Sequence, residues 1–176
     1  LDARILDLYV PAGAPPRMAG ALAVPGWRIG YLALQTEREP FLRKRIRQGV
    51  ATALDQVALA SVLEPHAVPL TTPLPPGVWG YQPGAKPPDN RAETARRLLV
   101  EGGALRAISV GLMVTPLAGP LDGARVATAL REALAPGGVN LSITAVTPET
   151  ALRLAQNGEH QMSLAPPYRR VSLREG

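Results

Sequence analysis

Few residues of this chain have the type and spacing that catalysis or metal binding requires. The two histidines, His66 and His160, are far apart in the sequence, and neither belongs to an HxH or HExxH pattern. Cysteine is absent, which excludes a thiolate metal site and a cysteine nucleophile. Asp55 lies on a predicted helix without a second carboxylate to share acid–base work, so we expect a surface or capping group. The sequence therefore predicts a protein that is not an enzyme, with no catalytic residue, metal or cofactor.

The positions of the serines and of the paired glycines fit roles in secondary structure and not in catalysis or phosphate binding. None of the serines in the predicted strands occupies a GxSxG elbow; these are Ser109, Ser142 and Ser163. Gly102-Gly103 and Gly137-Gly138 follow predicted helices instead of preceding them. We therefore expect both pairs to end helices, and neither to form a phosphate-binding loop.

Aromatic residues on a proline-rich loop are better candidates for contact with a ligand. Residues 65–88 form a long connection rich in Pro and Gly that carries Trp79 and Tyr81. Connections of this length in a domain are usually functional or cover another element. Ligand sites are lined by apolar and aromatic side chains, so both residues are predicted to bind ligand. The alternative is that Trp79 only packs the loop onto the sheet.

A net charge of +5 raises the question of nucleic-acid binding. The arginines are spread over several predicted helices, and no aromatic stacking platform accompanies them. The densest run, residues 43–47, lies opposite an apolar stripe and is predicted to be a solvated helix face. That stripe consists of Leu42, Ile46, Val50 and Leu54. No nucleic-acid partner is predicted, and no apolar run is long enough to span a membrane.

Predicted strands and helices alternate along the chain. The strands are 5–10, 27–36, 108–114, 139–146 and 160–164; the helices are 15–22, 41–63, 89–99, 122–134 and 147–157. This order predicts a single α/β domain over residues 1–176, with a layered, mixed sheet and flanking helices. Ligands of such sheets bind beyond the carboxyl ends of strands. We place those ends at 35–36, 115–116, 147–148 and 165–169.

The order of several short motifs resembles the extracytoplasmic solute-binding proteins of ABC importers, in the peptide/nickel-type family. Pro40-Phe41 precedes Arg45-Ile46-Arg47-Gln48, and Ala53-Leu54-Asp55 follows. Next come TPLPPGVWGY at 72–81 and the segment 89–103 that ends in Gly-Gly. Gly158-Glu159-His160-Gln161-Met162 is similar to the step that leads into the family's ligand-facing turn. The succession covers residues 28–164.

The resemblance implies a two-lobed binding protein of which this chain is the second, smaller lobe, similar to lobe II of a periplasmic binding protein. The implied partners are a peptide or other small solute, the missing first lobe and the membrane permease of an ABC importer. The implied location is periplasmic or extracytoplasmic. The alternatives are a ligand-sensing domain of a transcriptional regulator, which would be cytoplasmic, and an orphan lobe that acts through protein contacts. Because the chain begins at Leu1, we expect a fragment or a processed piece, and the upstream sequence would discriminate among these.

The turn after the last motif departs from the family pattern. In peptide-binding members this turn carries a Trp and an acidic residue that accepts the peptide's amino group. Here the turn continues from Ala165 through Pro166-Pro167 to Tyr168, Arg169 and Arg170, with no carboxylate, and Gln161 replaces the expected acid of the strand. We predict that the last three residues of this turn bind solute and that the arginines favour a carboxylate or phosphate over an amine. The alternative is that both arginines are solvated tail residues.

Overall fold

Four strands form one mixed sheet in the order β1-β4-β2-β3. The computed structural model describes residues 30–63, 69–70, 72, 74, 76–84, 91–116 and 123–165. The strands are β1 (Tyr31–Leu34), β2 (Ile108–Val114), β3 (Val139–Ala145) and β4 (Met162–Ala165). β2 runs parallel to both β3 and β4, whereas β1 runs antiparallel to β4. The predicted α/β fold with a mixed sheet is confirmed, and the predicted strand 5–10 and helix 15–22 lie outside the described residues.

The three helices after residue 90 begin and end within two residues of the predicted positions. They are α1 (Lys44–Ala53), α2 (Gln56–Leu63), α3 (Arg91–Glu101), α4 (Gly123–Leu134) and α5 (Pro148–Gln156), with a 3₁₀ turn at Ala135–Gly137. Gly103 and Gly138 follow α3 and the 3₁₀ turn with φ of 92° and 87°. Glycine adopts this left-handed conformation without strain, which explains why both glycine pairs end helices.

The prediction of one helix over 41–63 is wrong, because the chain breaks between α1 and α2. Leu54 is extended, with φ −71° and ψ 111°. Asp55 then begins α2, since its Oδ1 accepts hydrogen bonds from the backbone N–H groups of Val57 at 3.0 Å and Ala58 at 3.1 Å. Aspartate satisfies the free N–H groups of a helix start well. Asp55 is therefore a capping group, one of the two roles expected from the sequence.

One face of the sheet packs against α1, α3 and α4 and forms the core. The buried side chains of this core are Phe41, Ile46, Val50, Ala53, Ala95, Leu99, Ile108, Val110, Leu112, Val114, Val126, Ala127, Leu130, Leu134, Val139, Leu141, Met162 and Leu164. The other face of β2 and β3 is largely small and polar, with Ser109, Asn140, Ser142 and Thr144 exposed. The alternation along both strands decides which face each side chain joins.

Phe41, and not the predicted Leu42, occupies the core at the start of α1. Phe41 is 0% exposed and Leu42 is 57% exposed. The predicted stripe treated Leu42 as the first turn of a helix, but α1 begins at Lys44. The backbone before the helix turns Phe41 inward and leaves Leu42 in solvent.

Glycines allow the 3₁₀ turn and α3 to pack closely on α1. A Cβ added to Gly137 would overlap the Cβ of Ala53 and lie 3.2 Å from its Cα. A Cβ added to Gly49 would lie 2.8 Å from Leu99 Cδ2. The first contact is the less adaptable, because it involves backbone and a side chain that cannot rotate away.

Replacing Gly137 with Ala is therefore expected to lower the free energy of unfolding by about 1–3 kcal/mol, as overpacking of a core does. Urea titration followed by circular dichroism measures this change. The matched control is Gly30→Ala, because a Cβ at Gly30 would meet no atom within 4 Å. Equal stability of the two variants would contradict the close contact at Ala53.

Candidate functional site: the carboxyl edge of the sheet

Three parallel strands end at one edge of the sheet, which we call the carboxyl edge. Val114 ends β2 and pairs with Leu164 of β4 and with Ala145 of β3. Beyond the ladder, the N–H of Val146 donates to the carbonyl of Val114 at 3.0 Å. The structure therefore brings together the segments 115–116 and 147–148, two of the strand ends that were predicted from the sequence. This is where open α/β sheets bind ligands.

Gln35-Thr36 follows a strand, as predicted, but does not lie at the carboxyl edge. β1 runs antiparallel to β4, so its carboxyl end lies beside the start of β4, at the opposite, amino edge. There the N–H of Gln35 donates to the carbonyl of Gln161 at 2.9 Å. Strand direction depends on a partner distant in sequence, and no local pattern reveals it.

Helix α5 begins at the carboxyl edge with a regular cap. Thr147 is extended, and its Oγ1 accepts a hydrogen bond from the N–H of Thr150 at 3.3 Å, while Pro148 occupies the first turn. The pKa of Glu149 is lowered by hydrogen bonds from its own backbone N–H and then from Thr147. The N-terminus of α5 thus stabilises the ionised carboxylate of Glu149.

Trp79 projects from a tight turn into solvent. The N–H of Tyr81 donates to the carbonyl of Val78 at 3.0 Å, and Gly80 has φ 87°, as the third position of a type II turn requires. Trp79 takes the second position and is 97% exposed, while Tyr81 is half-buried. The alternative that Trp79 packs the loop onto the sheet is therefore wrong. The predicted ligand contacts Trp79 and Tyr81 share this turn, and their contact with a ligand stays a prediction.

The predicted site residues Tyr168, Arg169 and Arg170 lie outside the described residues, so their role at the carboxyl edge also stays a prediction. Gln161 lies at the other end of β4. Its Oε1 accepts the backbone N–H of Gly111 at 2.7 Å. The side chain thus extends the β2–β4 pairing beyond the short strand β4.

The basic run before and within α1 is not a plain solvated face. Arg47 Nη1 donates to the carbonyls of Phe41 at 2.6 Å and Leu42 at 2.9 Å. Arg43 donates to the carbonyl of Gly102 at 3.0 Å and to Glu39 at 2.9 Å. Arg43 satisfies a carbonyl group just past the end of α3, and Arg47 satisfies two carbonyl groups of the turn that precedes α1. Sequence reasoning missed these roles because the partner carbonyls carry no sequence signal.

A polar depression at the amino edge is a poor ligand site. It has a volume of about 330 Å³, and its lining includes Gln35, Glu37, Arg38, Gln156 and Asn157. Small-molecule sites are mostly apolar and enclosed, which this depression is not. Among the residues that the structure describes, no three His, Asp or Glu side chains could hold a metal ion. In the same ranges, no helix combines the length and apolar character needed to cross a bilayer.

Curated relatives of this chain are binding proteins. It is 27% identical over 143 residues to the dipeptide-binding protein of Escherichia coli (strain K12). The aligned segment covers 80% of this chain and 27% of that protein. It is 28% identical over 93 residues to heme-binding protein A of Haemophilus influenzae, covering 52% of this chain and 17% of that protein. The chain therefore spans about a quarter or less of the length of these relatives.

Solved structures share the fold. HbpA2 from Haemophilus parasuis superimposes with a TM-score of 0.71 at 22% identity, covering 80% of this chain and 28% of the other. A dipeptide-binding protein of a Pseudoalteromonas species in complex with Met-Leu superimposes with a TM-score of 0.63 at 24% identity. The superposition covers 78% of this chain and 28% of the other. At these identities the likeness shows the fold of this chain.

A family model decides the relationship. The model for the middle region of the bacterial extracellular solute-binding proteins, family 5, matches residues 8–169, which is most of the chain. The match includes all of the motifs on which the resemblance was based. The chain therefore belongs to the bacterial extracellular solute-binding proteins of family 5.

Proposed function

We propose that this chain forms one wall of a solute-binding cleft in a two-lobed protein that serves an ABC importer. The observation that carries the proposal is the family match over residues 8–169. The length of the relatives supports it, because about three quarters of the E. coli dipeptide-binding protein has no counterpart here. That remainder would supply the other wall, and binding would close the two lobes by a hinge motion.

The carboxyl edge is the part of this lobe that we propose faces the cleft. Thr115 and the start of α5 at Thr147 lie there, and β4 delivers the chain to this edge at Ala165. Trp79 adds aromatic area that the described part of the fold does not bury. Such a side chain suits contact with a solute or with the other lobe, because aromatic anchors dominate binding energies.

We further propose that the solute is peptide-like or another small molecule, and that it presents an anionic group to this lobe. Peptide binding is what the names of several relatives state of those proteins. Arg169 and Arg170 follow β4, and no carboxylate accompanies them in the turn. A guanidinium group pairs with a carboxylate through two parallel hydrogen bonds and repels a protonated amine.

Replacing Arg169 and Arg170 with Gln in the full-length protein is expected to weaken solute binding at least tenfold, about 1.4 kcal/mol. Calorimetric titration with a dipeptide and with its N-acetylated form measures this loss. We expect the acetylated form, which keeps the carboxylate and lacks the amine, to bind at least as tightly as the free dipeptide.

The matched control removes two exposed arginines of α4 by Arg125→Gln and Arg131→Gln, which changes the net charge equally. Unchanged affinity in the Arg169 and Arg170 variant, or equal losses in both variants, would contradict the anionic contact. Binding of neither dipeptide nor other small solutes by the full-length protein would contradict the proposed function itself.

A further inference from the structure

Strand β4 is short, and it carries the chain to the carboxyl edge. It has four residues, Met162–Ala165, and three of them pair with β2. Hydrogen bonds at the ends of an element open most readily, so a strand of this length has little backbone pairing to hold it. The position of Ala165, where β4 ends, therefore depends on how firmly the start of β4 is held.

Gln161 directly precedes β4 and connects it to both neighbouring strands. On one side, its backbone carbonyl accepts the N–H of Gln35, just past the end of β1, at 2.9 Å. On the other side, its Oε1 accepts the N–H of Gly111 in β2 at 2.7 Å. A single residue thus uses its main chain toward β1 and its side chain toward β2.

The side-chain oxygen of Gln161 continues the β2–β4 ladder by one step. The ladder begins where Leu112 lies opposite Met162, so Gly111 is the residue of β2 just before the first pair. The N–H of Gly111 is received by the amide oxygen of Gln161 instead of by a strand. The bond is partly buried, and a buried N–H that loses its partner is costly. The contact therefore favours the observed placement of β4 against β2.

We propose that Gln161 is a positioning residue for solute binding, a role that rests on the proposed function of this chain. Gln161 lies at the amino edge and does not itself touch the solute. It acts through β4, because fixing the start of the strand fixes where Ala165 leaves the sheet. Strand residues advance about 3.3 Å each, so the two residues are only about 13 Å apart. A displacement at Gln161 is therefore carried to the carboxyl edge by one short strand.

The amide group suits this role. An amide oxygen accepts the N–H of Gly111 without bringing a charge into a partly buried place, where a charge would need further partners. Its ability to accept does not depend on pH, because the amide does not titrate. A glutamate at the same position would keep the acceptor oxygen and the length of the side chain. A methionine would keep the length and remove the acceptor, so the two substitutions separate these properties.

Amide hydrogen exchange in this chain tests the contact itself. In the Gln161→Met variant, the amide of Gly111 is expected to exchange about tenfold faster, because it has lost its acceptor. In the Gln161→Glu variant at neutral pH, its exchange should remain slow. The amide of Ile108 is the internal reference, since it lies in the same strand and donates to the carbonyl of Gly138 at 2.9 Å. Its exchange rate should be the same in all three proteins.

Calorimetric titration of the full-length protein with a dipeptide tests the positioning role. Gln161→Met is expected to weaken binding about fivefold to tenfold, because a site loses affinity when its supporting contacts loosen. Gln161→Glu should restore the affinity of the unmodified protein. Gln156→Met, at an exposed glutamine of α5, is the matched control and should bind normally. Gly137→Ala lowers stability before β3, away from the carboxyl edge, and should also bind normally, which separates positioning from a general loss of stability.

Unchanged exchange of the Gly111 amide in the Gln161→Met variant would overturn the contact. Unchanged dipeptide affinity in that variant would overturn the positioning role and leave the proposed function intact. Equal losses of affinity in Gln161→Met and Gly137→Ala, or in Gln161→Met and Gln161→Glu, would do the same. If the unmodified full-length protein binds neither a dipeptide nor another small solute, the proposed function and this role both fail. Circular dichroism of each variant confirms that it is folded.

Discussion

Replacing Phe41 with Ala is expected to lower the free energy of unfolding by about 3–5 kcal/mol. Phe41 is 0% exposed and belongs to the core cluster, so the change leaves a cavity beneath the start of α1. Urea unfolding, followed by circular dichroism and fitted to two states, measures the loss. This change has the largest effect on stability that we expect from a single substitution in the chain.

Leu42→Ala is the matched control, because the neighbouring side chain is 57% exposed. Its stability should differ from that of the unmodified chain by at most about 0.5 kcal/mol, as for most surface changes. A larger loss for Leu42→Ala than for Phe41→Ala would mean that the apolar stripe expected from the sequence, and not the turn described here, is correct.

Replacing Arg47 with Met is expected to cost about 2–3 kcal/mol of stability. The substitution keeps most of the aliphatic stem and removes the guanidinium group that donates to the carbonyls of Phe41 and Leu42. Hydrogen bonds from a charged donor contribute about 1.5–3 kcal/mol each, and the bond to Leu42 is exposed and contributes less. The same urea titration measures the change.

Arg45→Met is the control for removal of a positive charge from the same helix. Arg45 Nε lies 3.5 Å from Glu101 Oε2, and both side chains are about half exposed. This ion pair therefore contributes about 0–1 kcal/mol to the free energy of unfolding. Similar losses in the two variants would show that net charge, and not the carbonyl contacts, explains the effect. A double variant of Phe41 and Arg47 should lose less stability than the sum of the single losses, because both residues hold one turn.

These contacts change the interpretation of the basic run at residues 43–47. Arg43 and Arg47 bind carbonyl groups within the fold, and Arg45 faces Glu101 across α1 and α3. Three arginines of the densest basic run therefore have partners within the protein itself. The charge most relevant to the proposed solute would then be that of Arg169 and Arg170, which follow β4 in the sequence.

Local signals in the sequence were sufficient for much of the fold. β2 was predicted with its observed ends, because an apolar run lies between Gly103 and Pro116. α5 was predicted to begin at Thr147-Pro148-Glu149, and Thr147 is its cap. Each of these features depends on residues within one turn of one another, and so a pattern in the sequence can report it.

The ordered motifs also determined the family. Each motif is weak, but their succession over residues 28–164 falls within the segment that the family model matches, 8–169. The identity of the solute did not follow, because the chain would supply one wall of the proposed cleft and recognition would depend on both walls.

The tertiary structure decided the features that join distant parts of the chain. β1 runs antiparallel to β4, which moves Gln35 to the amino edge, and Arg43 binds a carbonyl 59 residues away. Phe41, and not the predicted Leu42, is buried because the backbone turns before α1 begins. Trp79 stays in solvent because its turn is closed by its own backbone and not by the sheet. Backbone carbonyls are identical in every residue, so only the folded arrangement determines which of them a side chain or a strand will bind.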